Sequence, residues 1–323
     1  MPNPSVPLLV ISCDRYADLW RPFFEVWRLR WPDCPYPVWL GTNFSHYDDS
    51  MVRTINVGED LSWASGVQSM LDRLDSDHVI IFLEDFLIQA AVDAKMIAKL
   101  IEVARREPVA CIRLSPLPPP SRLPLRAVPA HPELGIVEPG TPYRVSAQPA
   151  IWRVEALRRY LVPGFSPWQF EEIGSRLSNY TDDVFWGPFQ PTVVYEHAIE
   201  KGRWKQAGLE ICRDAGVAVD LAARPAFEPG ELEAMSRARS TTDRLPSMKR
   251  EMVDAFCSGE RRRALSIARE VLRDRPIWPE VLLIVAVGLL GPRPMRLLDQ
   301  MQLAMKVRRC RRDCQRRTVE QSV

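Results

Sequence analysis

The stretch "VIIFLEDFL", Val79 to Leu87, places two adjacent carboxylates directly after five apolar residues. An apolar run of this length, rich in β-branched and aromatic residues, is typical of a buried strand in a parallel sheet. Such folds bind ligands at the carboxyl ends of their strands, which is where Glu84 and Asp85 lie. The two acids are therefore either hydrated charges at a surface strand end or part of a cation site, since buried carboxylates need a cationic partner. This stretch alone leaves both interpretations open.

The residues on both sides of this strand alternate between apolar runs and amphipathic segments, a pattern typical of βα units around a parallel sheet. The predicted strands cover residues 6–12, 36–41, 53–57, 78–83 and 109–114, and the predicted helices cover 17–31, 62–74 and 93–106. Ser62 and Asp93 are candidate N-caps for the last two helices. We therefore expect an α/β fold that begins with a Rossmann-like nucleotide-binding half, over about residues 1–115.

The pattern changes after this half. Residues 115–135 are dense in proline, which cannot continue a helix or a central strand, so an ordered extended loop or a mobile flap is expected there. A hairpin around Pro139 and Gly140, then a strand and a helix, are predicted within an acceptor half of about residues 116–210. A polar linker around residues 236–246 precedes a helical tail. The predicted domains are residues 1–239 and a basic helical extension, residues 240–323.

Composition narrows the class of protein. The chain is 46% hydrophobic and 26% charged, which is ordinary for a soluble globular protein. No signal peptide is evident, and the longest apolar run, residues 281–291, is about half the length of a membrane span. Seven scattered cysteines without C-x-x-C spacing indicate buried thiols in a reducing cytoplasm. The sequence has no Walker loop and no G-x-G-x-x-G, which argues against P-loop NTPases and dinucleotide dehydrogenases.

The adjacent acids of the opening stretch suit Mg²⁺ or Mn²⁺, because both ions prefer oxygen ligands and bridge diphosphates. Asp85 is the better candidate ligand, and Glu84 either supports it or contacts a ribose. The first predicted βα turn, "SCDRY", adds Ser12, Asp14 and Tyr16 as candidate contacts to a base or ribose. Asp14 is equally a candidate helix N-cap.

Two later segments gather further candidate residues. In "SPWQFEE", residues 166–172, Trp168 and Phe170 offer stacking faces for a sugar ring, and the two glutamates offer a general base. The same segment predicts a capped helix start with proline in the first turn, and both interpretations can hold together. In "YEHAIEKGRWK", residues 195–205, His197 is a candidate metal ligand or phosphate contact, although a single histidine is often structural. Three basic residues of this segment can meet diphosphate oxygens: Lys201, Arg203 and Lys205.

Several segments in order carry a family resemblance: "LLVISCDRYADLWRPFFEVWRLRWPDCPYPVWLGTN", "LSWASGVQSML", "IIFLEDFLI", "YRVSAQPAIWRVEALRRYLVPGFSPWQFE" and "KGRW". Together they resemble a family of GT-A-like glycosyltransferases found among bacterial surface-polysaccharide biosynthesis proteins, over about residues 6–206. The tail from residue 259 to residue 298 is similar to the helical extensions that follow the catalytic domain in many bacterial GT-A transferases.

The resemblance implies a GT-A-like fold with a C-terminal helical extension, and a sugar transferred from a nucleotide-sugar donor to a saccharide or lipid-linked acceptor. Its D-x-D-like metal motif maps onto Glu84 and Asp85, but the usual motif has acids two residues apart and these are adjacent. A Mn²⁺ or Mg²⁺ cofactor is implied, with Asp85 and His197 as candidate ligands. A metal-independent variant that uses the basic residues of "KGRWK" is the alternative.

In inverting members of the family a carboxylate near the acceptor acts as the base. By order along the chain that role falls on Glu171 or Glu172. Trp168 or Trp63 is the candidate stacking residue for a sugar or base. Two alternative functions stay open: a non-catalytic sugar-binding or nucleotide-binding scaffold, and a sugar nucleotidyltransferase, which would normally need a glycine-rich phosphate loop.

The basic tail bears on partners and location. From Ser240 onward the chain has 18 basic and 10 acidic residues. The arginines near the end of the sequence predict either contact with an anionic membrane surface or a solvated helix end. No nucleic-acid partner is expected, because aromatic residues do not interleave with the charges. We expect a cytoplasmic protein, peripheral at the inner face of the membrane in the first case. The arginines closest to the end are Arg308, Arg309, Arg311, Arg312, Arg316 and Arg317.

Overall fold

The computed structural model describes residues 6–59, 61–116, 125–237, 245–274 and 278–321. The strands of these residues are β1 (Leu8–Ile11), β2 (Val38–Thr42), β3 (Val52–Asn56), β4 (His78–Leu83), β5 (Phe86–Ile88), β6 (Val109–Arg113), β7 (Arg126–Val128), β8 (His131–Ile136), β9 (Ala150–Arg153), β10 (Val184–Pro188), β11 (Tyr195–His197), β12 (Ile199–Glu200) and β13 (Arg203–Trp204). The helices are α1 (Ala17–Arg30), α2 (Trp63–Leu71), α3 (Ala94–Arg106), α4 (Val154–Tyr160), α5 (Pro167–Leu177), α6 (Gln206–Asp214), α7 (Glu231–Arg237), α8 (Leu245–Cys257), α9 (Arg261–Asp274), α10 (Pro279–Leu290) and α11 (Pro292–Gln321).

A nine-stranded mixed sheet, in the order β3-β2-β1-β4-β9-β6-β10-β8-β7, forms the centre of the fold. The four strands β3, β2, β1 and β4 are parallel, and β9 lies antiparallel between β4 and β6. Residues Val79 to Phe82 of β4 are fully buried, as expected for a central strand with helices on its faces. The predicted α/β class is therefore confirmed, with a parallel first half.

The helices α2 and α3 begin at their predicted N-caps, whereas the predicted N-cap Asp14 does not cap α1, whose N-cap is Tyr16 without a side-chain hydrogen bond. The Ser62 side chain accepts a hydrogen bond from Ser65 N at the start of α2, and the Asp93 side chain accepts one from Met96 N at the start of α3. Both predicted N-caps are thus confirmed. The aromatic face of α1 is buried against the sheet, where the Trp27 and Phe82 ring centroids lie 5.0 Å apart.

The proline-dense segment differs from its prediction. Residues 117–124 lie outside the described residues, but residues 126–136 form the strands β7 and β8 instead of a loop. These are the two outermost strands of one sheet edge, where proline is tolerated because fewer backbone N–H groups are needed. Pro132 precedes the residues of β8 that pair with β10.

The predicted hairpin around Pro139 and Gly140 is wrong. A turn is present, since Thr141 N donates to Glu138 O at 3.1 Å and Gly140 has a φ of 86°. However, β8 pairs with β7 and β10, whereas β9 pairs with β4 and β6. The chain after the turn thus continues as β9 in the middle of the sheet, where the apolar residues of this strand are buried.

The chain divides into two compact units. The first consists of Met1–Phe227 and Cys310–Val323, and the second of Glu228–Arg309. The sequence-based boundary at residue 240 falls inside the second unit. This unit is helical, and its core includes Met252, Phe256 and Val281. None of the described helices is both long enough and apolar enough to cross a membrane.

Candidate functional site

A cavity of about 910 Å³ opens at the carboxyl ends of β1 and β4 in the first unit. The two strands are parallel and end level, because Ile11 pairs with Leu83. From β1 the chain turns to β2 on one side, while β4 lies on the other side, so the sheet order reverses at this point. Such a reversal leaves a crevice beyond the strand ends, which is where open α/β sheets bind their ligands.

Most of the residues selected from the sequence meet in this cavity. Nine line it: Ser12, Tyr16, Trp63, Glu84, Asp85, Trp168, Glu171, His197 and Lys201. Five lie outside its lining: Asp14, Phe170, Glu172, Arg203 and Lys205.

Glu84 and Asp85 form the two-residue link between β4 and β5. The short strand β5 pairs with β11, and the register sets Phe86 opposite His197. This pairing brings the imidazole to Asp85, where Nε2 lies 2.8 Å from Oδ2. The other carboxylate oxygen, Oδ1, is buried and has no hydrogen-bond partner among the described residues. One wall of the cavity therefore holds a carboxylate with one satisfied and one unsatisfied oxygen.

The protonation of this wall follows from burial and charge. Burial raises the pKa of Glu84 well above its usual range, and the neighbouring charge of Asp85 raises it further. Burial by itself lowers the pKa of His197, but the hydrogen bond and the charge of Asp85 outweigh burial, so the pKa is raised. Burial at this wall therefore favours the protonated form of Glu84, and the hydrogen bond to Asp85 favours the charged form of His197.

A second wall of the cavity is built on the start of α5. Ser166 caps this helix through a capping box with Gln169. Glu171, one turn into the helix, accepts hydrogen bonds through Oε1 from Ser146 Oγ at 2.8 Å and Ala147 N at 3.0 Å. Trp168 protrudes beside it with 76% of its surface exposed. A neutral pair of donors thus fixes a carboxylate next to an open aromatic face.

Between the two walls lies Tyr195, a residue that sequence reasoning missed. Burial raises the pKa of its phenol, and the charges of Glu171 and Asp85 raise it further. The phenol of Tyr195 therefore lies within electrostatic range of both carboxylates. The signal in the sequence was its spacing, because residues two apart on a strand share a face and Tyr195 precedes His197 by two.

A basic turn forms a third part of the cavity. Lys201 and Gly202 connect β12 to β13 with φ values of 49° and 76°. Left-handed backbone at the first position usually selects Asn, Asp or Gly, so a lysine here is costly. Arg224 holds the turn by donating to Gly202 O at 3.1 Å, and its guanidinium lies 4.7 Å from the centroid of the Tyr16 ring.

The five candidates outside the lining lie elsewhere in the first unit, and Lys205 forms an ion pair with Glu196. Asp14 accepts hydrogen bonds from the loop after β2. The guanidinium of Arg203 lies 4.2 Å from the centroid of Phe227. Phe170 is fully buried in the core, and Glu172 is exposed and does not line the cavity. Of the two glutamates proposed as base, the geometry thus favours the one that lines the cavity.

A metal ion fits this site only in part. The described residues contain no group of three or more His, Cys, Asp and Glu side chains that could hold a metal. His197 is already bonded to Asp85, which leaves the unsatisfied Oδ1 of Asp85 as the oxygen that a cation would satisfy. Mg²⁺ is commonly held by one or two carboxylates together with substrate phosphates and water. Asp85 is therefore the residue of this wall that could hold a cation, through its Oδ1.

Comparison with known proteins adds no family to this geometry. A scan of the chain against protein-family models finds no match, and a search among curated proteins finds none either. Inference about function accordingly rests on the site itself.

Proposed function

We propose that this protein is a glycosyltransferase that moves a sugar from a nucleotide-sugar donor to an acceptor hydroxyl. The observation that carries the proposal is the pairing of two different carboxylates across one cavity. Asp85, with its imidazole partner and an unsatisfied oxygen, suits the diphosphate side. Glu171, fixed by two neutral donors, suits the acceptor side.

On the donor side, the nucleoside lies at the carboxyl end of β1, where Ser12 and Tyr16 line the cavity. Lys201 contributes a positive charge toward the diphosphate. A Mn²⁺ or Mg²⁺ ion, held by Asp85, would supply charge neutralisation of the departing nucleotide. The proton on His197 keeps Asp85 oriented through the Nε2 to Oδ2 hydrogen bond.

On the acceptor side, Glu171 takes the proton from the acceptor hydroxyl as its oxygen attacks the anomeric carbon. The bond from that carbon to the diphosphate oxygen breaks, and its electron pair leaves with the nucleotide. Attack opposite the leaving group inverts the anomeric centre. The exposed ring of Trp168 offers a stacking face for the acceptor sugar.

The same proposal covers the roles of the two units, the acceptor and the cellular location. The first unit corresponds to a GT-A-like catalytic domain and the second to a helical extension. The acceptor is a saccharide or a lipid-linked saccharide of surface-polysaccharide synthesis, and the site of action is the cytoplasm. Burial of an unpaired carboxylate oxygen, together with a cavity at the strand-order reversal, supports a ligand at this place.

One observation favours a second candidate, a non-catalytic sugar-binding or nucleotide-binding protein. The acids of "EDF" are adjacent, and burial together with the charge of Asp85 raises the pKa of Glu84 well above its usual range. Of this pair, only Asp85 has a buried oxygen without a hydrogen-bond partner among the described residues. A binding protein would use the same cavity without needing the carboxylate of Glu171.

Calorimetric titration with UDP, GDP and CMP, each with and without Mn²⁺, tests the donor side. We expect one nucleotide to bind more tightly with Mn²⁺, and Asp85→Ala to remove the effect of the metal. Asp77→Ala is the matched control, because Asp77 is an exposed acid at the other end of β4. Unchanged affinity in Asp85→Ala would remove the metal role.

Release of free sugar from the corresponding nucleotide-sugars, without an acceptor, separates the two candidates. A transferase slowly hydrolyses the donor when no acceptor is present, whereas a binding protein leaves the donor intact. Binding without any release, across the donors of the preferred nucleotide, would overturn the enzymatic proposal and support the second candidate.

A further inference from the structure

The first part of α11, residues 292–309, carries an exposed apolar stripe. Leu297, Met301 and Met305 are 60%, 57% and 59% exposed. Their spacing of four residues places them on one face of the helix. The opposite face of the helix contributes Met295 and Leu303, which are fully buried. This segment therefore presents apolar side chains to both the protein interior and the solvent.

Basic residues surround this stripe. Residues 292–309 contain five basic side chains, all exposed: Arg293, Arg296, Lys306, Arg308 and Arg309. The one acidic residue of this stretch, Asp299, is buried. On a helix of 3.6 residues per turn, Arg308 follows Met301 by seven residues and lies on the same face, while Arg293 and Arg309 lie at the two edges of this face. The exposed surface of this helix segment is thus apolar along its centre and positive at its ends.

The preceding helix has a similar character. Four leucines of α10 are between 45% and 75% exposed: Leu282, Leu283, Leu289 and Leu290. Its single charged residue, Glu280, forms an ion pair with Lys249. So many large exposed apolar side chains indicate a surface that a binding partner covers in the functional protein.

The charges decide what covers it. A two-fold contact with a second copy would place like-charged arginines against each other, which is unfavourable. A nucleic acid would meet no stacking side chain, since residues 279–321 include no aromatic residue. Leucine and the flexible thioether of methionine adapt to disordered acyl chains, and arginines pair with anionic headgroups.

We propose that residues 292–309 of α11 dock on an anionic phospholipid surface. Leu297, Met301 and Met305 enter the boundary between headgroups and acyl chains. The arginines at both ends contact the phosphates. The exposed leucines of α10 are a second set of apolar side chains in the same unit. This docking does not depend on the activity proposed above, because no residue of the cavity takes part.

Co-sedimentation of the full chain with vesicles tests the proposal. The vesicles are phosphatidylcholine alone, or phosphatidylcholine with about one third phosphatidylglycerol. We expect the protein to bind the anionic vesicles. This binding should weaken as the salt concentration is raised from about 50 to about 500 mM, because salt screens the charges of the protein and of the membrane surface. Binding to neutral vesicles is expected to be weak, since the stripe alone buries little area.

Paired variants assign the binding to the stripe. Leu297→Gln, Met301→Gln and Met305→Gln together should lower the partition coefficient roughly hundredfold, because three partly buried apolar side chains are lost. Glutamine keeps the helix and leaves the charge unchanged. The matched control is Leu29→Gln with Met51→Gln, two residues of the first unit that are 57% and 61% exposed. This control should bind as the wild type does.

A second set assigns the charge. Replacing Arg293, Arg308 and Arg309 by glutamine should lower binding to anionic vesicles about fivefold for each arginine and leave binding to neutral vesicles unchanged. Circular dichroism checks that each variant is folded, and Met301→Gln alone replaces the triple variant if the latter is unfolded.

Three results would overturn the proposal. The first is the absence of wild-type binding to anionic vesicles. The second is equal binding by the stripe variant and by its control. The third is a dimer, seen by light scattering, that the stripe variant dissociates while vesicles are not bound; this would assign the surface to a second copy.

Discussion

The neighbouring strands β1 and β4 are each followed by a turn that contains a carboxylate, Asp14 after β1 and Asp85 after β4. The two carboxylates differ in their hydrogen bonds. After β1, Asp14 accepts hydrogen bonds from the backbone N–H groups of Asn43, Phe44 and Ser45, at 2.9 to 3.2 Å, and from the Ser45 hydroxyl. After β4, Asp85 accepts one side-chain hydrogen bond, from His197, and its Oδ1 is buried without a partner among the described residues.

This difference separates a structural carboxylate from one that is prepared for a ligand. A carboxylate whose oxygens are all bonded stabilises the loop that supplies the donors. A buried oxygen without a partner instead carries a desolvation cost of about 1–3 kcal/mol, which a bound cation or donor can recover. The same distinction can be tested at other acids of the chain, and it predicts effects of different size.

The largest effect is expected at Glu171. Glu171→Gln keeps the shape of the side chain but removes the base, so transfer should fall about 100-fold to 10,000-fold with little change in donor KM. The measurement is sugar transfer from the preferred nucleotide-sugar. Glu172→Gln, on the same helix but outside the cavity lining, is the control and should keep its activity. Equal losses in both variants would contradict the assignment of the base.

The next effect concerns stability and compares the two turns directly. Asp14→Ala should lower the free energy of unfolding by about 2 kcal/mol, because several charge-assisted hydrogen bonds to one loop are lost. Asp85→Ala should change it by less than about 1 kcal/mol, since one hydrogen bond is lost and one unsatisfied oxygen is removed. Urea unfolding measures both values. A larger loss in Asp85→Ala would break the comparison.

A third acid extends the comparison to pH. Burial alone raises the pKa of Asp183, but hydrogen bonds from Arg159 and Tyr160 outweigh it, so the pKa lies below the usual 3.8. A lowered pKa in the folded state contributes stability that is complete above about pH 5 and is lost as the pH falls through the folded value.

Asp183→Asn should therefore be less stable than the wild type by about 1 kcal/mol at pH 7, and the difference should shrink toward pH 2. Urea unfolding at a series of pH values measures this. Asp182→Asn serves as the control, because Asp182 is the exposed neighbour and should show no such trend. A difference that is independent of pH would count against the ion pair as the cause.

The smallest effect is expected at the basic turn. Lys201→Asn should raise stability slightly, because asparagine tolerates left-handed backbone better than lysine does, but it should weaken nucleoside diphosphate binding about fivefold through loss of one positive charge. Titration calorimetry and thermal unfolding give the two values. Lys95→Asn, an exposed lysine of α3, is the control. If the variant binds the nucleoside diphosphate more weakly but binds the nucleoside as the wild type does, the result supports a contact between Lys201 and the phosphates. An equal loss of affinity for both ligands contradicts this contact.

Much of the first half could be predicted from local sequence. Continuous apolar runs gave the strands of the parallel half, and Ser62 and Asp93 cap their helices as expected. The prediction failed at β7 and β8, because prolines at a sheet edge cost little and the edge position is not visible in the sequence. It failed again around Gly140, because a turn motif does not specify which strand follows in which place.

The candidate site could be predicted as a set of residues and not as an arrangement. The sequence selected Asp85, His197 and Glu171 separately. It could not decide between Glu171 and Glu172, because both fit a helix start, and only the packing of α5 shows which one lines the cavity. Arg224 could not be found, since its contact with Tyr16 joins the first βα turn to a distant loop.

The sequence by itself determined the α/β alternation, the helix caps and the chemistry of the available side chains, because periodicity and capping act over a few neighbouring residues. The tertiary structure alone decided which carboxylates are satisfied and which are left open. The pairing of β5 with β11 brings His197 to Asp85, and the position of α5 brings Glu171 to Ser146. Those contacts depend on strand register and helix packing, which the whole chain sets together.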